Sequence, residues 1–252
     1  MSEFFQEIYK MRPWYHNFEK LGVQTNFPDE RSWKNLWFKK QGIRHHAKQQ
    51  ERKEKCIVPF IKKSISDLHN GGNLNPRILY LFASDGYYGF LAKKMSPNSE
   101  LVLVDNDFFA KEHISDMERA KTMAHVLNIA DKTYCVKEDV NNYIKNSSKF
   151  DLILCLGGLY HIENPKEFLQ KLKSLTSSYL VISSAVKADT SDPNYFETPR
   201  PGFTWGSWFS EATLHKWLLE LNYNIVDSCS DKREGDDTQA IGGAYYLCKQ
   251  NS

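Results

Sequence analysis

From Pro76 onward the chain alternates short apolar runs with helix-forming stretches, and this alternation constrains its fold more than any other feature. RILYLF (77–82), ELVLVD (100–105), KTYCVK (132–137), FDLILCL (150–156) and SYLVISS (178–184) are rich in β-branched and aliphatic residues and read as strands. They are apolar on both faces, as strands sandwiched between helices must be. Helical stretches near 87–95, 108–128, 140–146 and 165–175 separate them. A helix between consecutive strands makes the pairing parallel. The end of the chain differs. SEATLHKWLLELNY puts Leu214, Trp217, Leu218 and Leu221 on one helical face behind Ser210, a plausible N-cap. NIVDSCS and GAYYLCK follow as two strands with only a polar segment between them, which suits antiparallel pairing. The expectation is an α/β protein with five parallel strands, a terminal antiparallel hairpin and helices on both faces.

The first seventy residues have another texture, aromatic and basic. Residues 1–70 are expected to form a helical, lid-like extension and residues 71–252 the main domain. A long helical segment runs to the turn signal NGGNLNP, with Pro59 inside it expected to kink or divide the helix. Between Arg31 and Lys63 there are eleven Lys and Arg against Glu51 and Glu54, although the whole chain carries only +2. That stretch suits either a nucleic-acid surface or a solvated helix closing over a site, and the absence of interleaved aromatic RNA motifs favours the helix. Five cysteines in no CxxC pair imply buried, reduced thiols and a cytoplasmic protein. No apolar run is long enough to span a bilayer. The histidines are scattered, so metal-independent chemistry is expected.

The first strand ends in YLFASDG (80–86), a strand–turn–helix junction of the kind that holds nucleotides. Such loops use glycine where the backbone turns left-handed or a ligand approaches it closely. Here Gly86 is the one glycine, with Phe82 and Ser84 at the other two positions. Asp105 ends the second strand about twenty residues later, where a carboxylate can accept ribose hydroxyls. The fourth strand continues as FDLILCLGGLYHIENP (150–165).

That last stretch resembles the fourth-strand motif F-D-x-V-x-x-x-G-V-L-Y-H-x-x-x-P of a subfamily of class I S-adenosylmethionine-dependent methyltransferases. The subfamily includes the tRNA wobble-uridine 5-oxyacetic acid synthase, a carboxymethyl transferase, and related small-molecule enzymes. PWYH (13–16), GVQT (22–25), DGYYGF (85–90) and the aromatic segment before the last helix carry the resemblance through residues 13 to 249. It implies a Rossmann-like class I methyltransferase fold with a seven-stranded sheet. It implies S-adenosylmethionine as cofactor and S-adenosylhomocysteine as product.

Carried onto this chain, the resemblance assigns the cofactor to Phe82, Ala83, Ser84, Asp85, Gly86 and Tyr87, to Asp105 and Asn106, to Asp139 and Val140 near the adenine, and to Cys155, Leu156 and Gly157. It makes His161 either a general base or a structural cap of its loop, and sets Tyr160 at the sulfonium end or in packing beside the sheet. Trp14, Tyr15 and His16 with Trp205 and Trp208 are expected to form a wall over the acceptor or else a satellite hydrophobic cluster, and Arg200 pairs with an anionic acceptor or is solvated. Three functions follow. One is methyl transfer to a small polar acceptor, such as a sugar, nucleotide-linked precursor, surface-glycan component or secondary metabolite. Another is tRNA wobble-uridine (carboxy)methylation, and a third is ligand binding by a degenerate member. The carboxymethyl reading needs an arginine to meet the extra carboxylate, and Gly242 and Gly243 stand where the resemblance would place it. Small-molecule methyl transfer is therefore the preferred expectation.

Overall fold

The computed structural model describes residues 3–12, 14–25, 36–107, 114–198, 206–232 and 241–250. Two helices, α1 (Glu3–Lys10) and α2 (Leu36–Asn70), precede the sheet. The sheet then builds as β1 (Arg77–Leu81), α3 (Tyr87–Met95), β2 (Glu100–Asp105), α4 (Asp116–Val126), β3 (Thr133–Lys137), α5 (Val140–Lys145), β4 (Phe150–Leu156), α6 (Pro165–Leu175) and β5 (Thr176–Lys187). Two short strands, β6 (Phe196–Glu197) and β7 (Trp208–Phe209), pair apart from the main sheet. They lead to α7 (Glu211–Glu220), β8 (Asn224–Lys232) and β9 (Ile241–Lys249).

The main sheet has seven strands in the order β3-β2-β1-β4-β5-β9-β8. The first five are parallel, and β9 lies antiparallel between β5 and β8. This is the expected plan of five parallel strands and a terminal hairpin. Local chemistry starts the helices, with α4 beginning at Asp116 and not near 108 as expected. Ser115 and Glu118 form a reciprocal capping box on α4, Asp139 caps α5, Pro165 opens α6, and the Ser210 hydroxyl accepts from the Thr213 amide at the start of α7.

Each face of the sheet buries its own core. On one face Ile78, Tyr80, Leu101, Leu103, Leu152 and Leu154 pack against α2, α3 and α4. On the other, Leu79, Leu81, Val102, Ile153, Leu180 and Ile182 pack against α5, α6 and α7. The alternation along each strand assigns odd and even residues to opposite layers. Leu214 and Leu218 are buried in the second core, with Trp217 and Leu221 packed against it.

Two expectations are corrected. Pro59 lies inside α2 and does not divide it. An interior proline costs about 3 kcal/mol, but Ile57, Phe60, Ile61 and Ile65 are all buried against the sheet. At about 1.5–3 kcal/mol for each buried aliphatic or aromatic side chain, this packing outweighs the missing donor. The second correction concerns the thiols. Cys56 of α2 and Cys229 of β8 are joined as a disulfide, with Cα atoms 6.1 Å apart, while Cys135, Cys155 and Cys248 are free. The partners are 173 residues apart in sequence, so no spacing motif announces them. Among the described residues no helix is long and apolar enough to cross a membrane.

Candidate active site

The strand register sets the geometry of the site. Leu81 pairs with both Val104 and Cys155, and Cys155 pairs with Ile182. The residues that follow, Phe82, Asp105 and Leu156, therefore share one rim at the carboxyl ends of four parallel strands. Open α/β sheets bind ligands at this rim.

The loop after β1 turns left-handed at alternate residues. Phe82 has φ +58°, Ser84 +47° and Gly86 +85°. These are the three positions at which glycine is expected, and two of them adopt the same backbone without it. Each non-glycine residue held there costs about 1–2 kcal/mol, and such strain persists only where neighbours over-determine it. The neighbours are visible. The Ala83 amide donates to Val104 O at 3.1 Å, and the Gly86 amide to Ala83 O at 2.8 Å. The Ser84 amide donates to Asp105 Oδ2 at 2.9 Å. At Gly86, which precedes α3, an added Cβ would come within 2.7 Å of the Phe90 ring, so glycine is needed for space as well as for φ.

Asp105 is the electrostatic centre of the rim. Its Oδ1 accepts from the Asp107 amide at 2.9 Å while Oδ2 accepts from Ser84. Burial pushes its carboxyl above the ordinary range, more than these hydrogen bonds pull it down. The Asn106 backbone donates to the same carboxylate, so three main-chain donors orient it. The neighbouring Asn106 is exposed. Asp107, which sequence reasoning missed, holds the next turn together by accepting from the Met117 amide at 3.2 Å, from the Ser115 hydroxyl and from Lys137 at 3.1 Å.

The end of β4 forms the facing wall. Cys155 is fully buried, and desolvation pushes its thiol up to about 12, so it takes part as packing and not as a thiolate. Leu156 is buried as well, and Gly157 turns left-handed at φ +76° while its amide donates to Ser183 O at 2.9 Å. An added Cβ at Gly157 would meet nothing within 4 Å, whereas one at Gly158 would fall 1.9 Å from the Phe82 ring. The Phe82 side chain thus lies on the Gly158 backbone, with the Phe168 ring 6.0 Å beyond.

Tyr160 and His161 lie in the 3-10 turn Leu159–His161, with rings 4.1 Å apart. Desolvation lowers the His161 pKa, which keeps the imidazole neutral at physiological pH. The backbone of this turn packs directly on Gly206, where an added Cβ would sit 1.9 Å from Tyr160 O, and the buried Ser207 hydroxyl donates to Ile162 O at 2.9 Å. Half-buried Trp208 follows in β7, opposite Glu197. Gly206 and Ser207 therefore pack on the His161 turn.

The remaining expected residues have the following surroundings. Asp139 accepts from the Asn141 and Asn142 amides as the cap of α5, and Val140 is buried in the second core. Trp14 donates through Nε1 to Ile8 O at 3.0 Å and meets Phe18 edge-on, inside the N-terminal segment. Tyr15 is 50% exposed, with its ring edge-on to His16. His16 and Asp85 are both buried and bonded to each other twice, so neither presents an open face to the rim. Tyr87 is buried, and its hydroxyl donates to Glu54 Oε1 at 2.6 Å. Arg200 and Trp205 lie outside the described residues.

Glu54 was hidden in the basic stretch. Burial pushes its carboxyl up, but hydrogen bonds from Lys20, Tyr87 and Gln50 outweigh this and hold it below the ordinary value. The available signal was that Glu54 is one of just two acids in that run. Arg52 on the same helix pairs with Asp231 of β8 at 2.9 Å.

Residues 86–228 match a family model described as a methyltransferase domain. No curated protein matches the chain in sequence. Among solved structures, the N-terminal domain of EvdMO1 with SAH bound superposes with a TM-score of 0.62 at 15% identity, covering 100% of this chain and 98% of that one. The [4+2]-cyclase SpnF gives 0.54 at 11% identity over 70% and 75% of the two chains. Magnesium protoporphyrin IX methyltransferase (ChlM) from Synechocystis PCC 6803 with bound SAH gives 0.51 at 15%, over 76% and 82%. At these identities the likeness is one of fold.

Proposed function

The chain belongs to the methyltransferase-domain family, and from that premise we propose that it transfers a methyl group from S-adenosylmethionine to a hydroxyl of a small polar acceptor. The observation that carries this reading is the loop after β1, which follows left-handed turns at residues 82, 84 and 86 and anchors its middle amide on Asp105. A backbone of that shape sets a turn beside the Asp105 carboxylate, an acceptor suited to the hydroxyls of a ribose. The residues present fit the cofactor in this respect, and the space above Gly157 supports the fit.

The cofactor supplies a methyl group already activated on a sulfonium. The protein's part is then positioning and charge complementarity. Asp105 holds the ribose hydroxyls, and the backbone of Phe82–Gly86 and Cys155–Gly157 lines the amino-acid end. Asp139 and Val140 mark the adenine side. His161, kept neutral by burial, has the protonation state a general base needs to take a proton from a hydroxyl. Tyr160 beside it offers an aromatic face toward positive charge, and Trp208 belongs to the acceptor wall.

Carboxymethyl transfer is disfavoured by one detail. An added Cβ at Gly242 would fall 2.7 Å from Asp231 O, and one at Gly243 2.6 Å from the Tyr245 hydroxyl. At Gly242 a side chain would require the Asp231 backbone to shift, and at Gly243 it would require the Tyr245 and Asp231 side chains to move. SpnF, described as a [4+2]-cyclase, is a reminder that this fold also serves other chemistry.

The test is a calorimetric titration of the full chain with S-adenosylmethionine, S-adenosylhomocysteine and carboxy-S-adenosylmethionine. Binding of the first two is expected. Binding of none of them sinks the reading, and a preference for the carboxylated cofactor overturns the choice of methyl transfer. In a transfer assay, His161→Ala should lower turnover while leaving cofactor affinity in place; a parallel fall in both makes His161 structural.

A further inference from the structure

We infer that the N-terminal strap around His16 is part of the cofactor site, with His16 acting as a positioning residue that fixes loop 82–86 through Asp85. The inference rests on the S-adenosylmethionine reading above. Asp85 is fully buried, and both of its oxygens accept from one residue: Oδ2 from the His16 amide at 2.7 Å and Oδ1 from His16 Nδ1 at 2.6 Å. A buried carboxylate needs such partners, because unpaired it loses its hydration with nothing in return. Asp85 stands between Ser84 and Gly86, the two left-handed residues whose backbones shape the middle of the loop. Any movement of Asp85 therefore reaches the Ser84 amide and, through it, the Asp105 carboxylate.

The strap is itself held by a closed circuit that returns to the loop. The His16 ring stacks on Tyr87, with centroids 5.1 Å apart and planes within 16°. The Tyr87 hydroxyl donates to Glu54, which also accepts from Gln50 Nε2 at 2.9 Å. Gln50 reaches back to the residue after His16, accepting from the Asn17 amide at 2.7 Å and donating to Asn17 O at 2.9 Å. Thr25 closes the strap from its other end by donating to His16 O at 3.0 Å. The loop lacks two glycines that would make its path easy, and a buried strap imposes that path from outside. His16 thus acts on the cofactor through Asp85 and not by touching it.

The test compares S-adenosylhomocysteine affinity, by calorimetry, with ligand-free thermal unfolding for four full-length proteins: the parent, His16→Ala, His16→Asn and Asp85→Asn. Asparagine at 16 keeps a donor at the same distance from Cβ as Nδ1. His16→Ala is expected to weaken binding about tenfold or more. His16→Asn should stay within about threefold of the parent, and Asp85→Asn, which keeps one good acceptor for two donors, should fall between. If His16→Ala does not fold, the order parent, His16→Asn, Asp85→Asn decides alone. Unchanged affinity in folded His16→Ala or Asp85→Asn, with a lowered unfolding temperature, makes the pair merely structural and overturns the inference. Failure of His16→Asn to rescue a weak His16→Ala overturns it as well. A parent protein that binds no S-adenosylhomocysteine removes the cofactor reading first, and this inference with it.

Discussion

The loops that end β1 and β4 face each other across the rim and both turn left-handed, but they reach that shape differently. After β4 the left-handed residue is Gly157, and nothing lies within 4 Å of where its side chain would begin. After β1 the chain turns left-handed three times, and Phe82 and Ser84 do so as ordinary L-residues. In the first loop residue type sets the backbone. In the second the partners set it: Val104 O, Asp105 and His16 each hold one residue of the loop. Read by residue type alone, the β1 loop looks degenerate, whereas φ is positive at all three positions where glycine is expected.

The sharpest way to break this comparison is to make the two loops collide. Gly158→Ala places a methyl group on the Phe82 ring, since an added Cβ would lie 1.9 Å from it. Overpacking of this kind should cost about 3 kcal/mol of unfolding free energy. In a Phe82→Ala background most of that cost should vanish, giving a coupling of about 2 kcal/mol in a double-mutant cycle read by urea unfolding. Additive costs would mean that the ring does not rest on Gly158 in solution.

A smaller effect sharpens the contrast. Ser84→Gly relieves a left-handed L-residue but gives the unfolded chain more freedom. The Ser84–Asp105 bond is made by the amide and survives the change. Unfolding free energy should rise by about 0.5 kcal/mol. A loss would show that the serine hydroxyl, and not the backbone alone, holds the turn.

The smallest effect concerns the far side of the rim. Burial lowers the His161 pKa, so below the ordinary value of about 6.5 the unfolded chain takes up a proton that the folded chain resists. The folded protein therefore loses stability as pH drops from about 6.5 toward the lowered value, and none of this loss is present well above it. His161→Gln should narrow the difference in unfolding free energy between about pH 8 and about pH 5. An unaltered difference would place the imidazole in water.

The sheet was legible because its signals are local. Apolar runs such as LVLVD and FDLILC name strands, and Ser210 names a helix start. What escaped depends on residues distant in sequence. His16 meets Asp85 across 69 positions, Gln50 meets Asn17 across 33, and Cys56 meets Cys229 across 173. No periodicity records such pairs. Pro59 does not divide α2, whose turn around it carries buried Ile57, Phe60 and Ile61. The two-residue strands β6 and β7 are too short to leave a pattern. In the site, the sequence marked the rim positions by spacing, but Trp14, His16 and Asp85 looked available when Trp14 is bonded to Ile8 O and His16 to Asp85.

The strand order also fixes a sequence of events during synthesis. β8 leaves the ribosome before β9, yet its one neighbour in the sheet is β9, which in turn joins it to β5. Until residues 241–249 have been made, β8 has no ladder to enter, and the hydrogen-bonding edge of β5 stays open. The five parallel strands can assemble as the chain emerges, but the sheet closes only when the last strand slides between two that are already waiting. A ribosome-stalled chain ending before Ile241 would therefore leave β5 as an edge strand and β8 unpaired, whereas in the finished sheet β9 pairs with both.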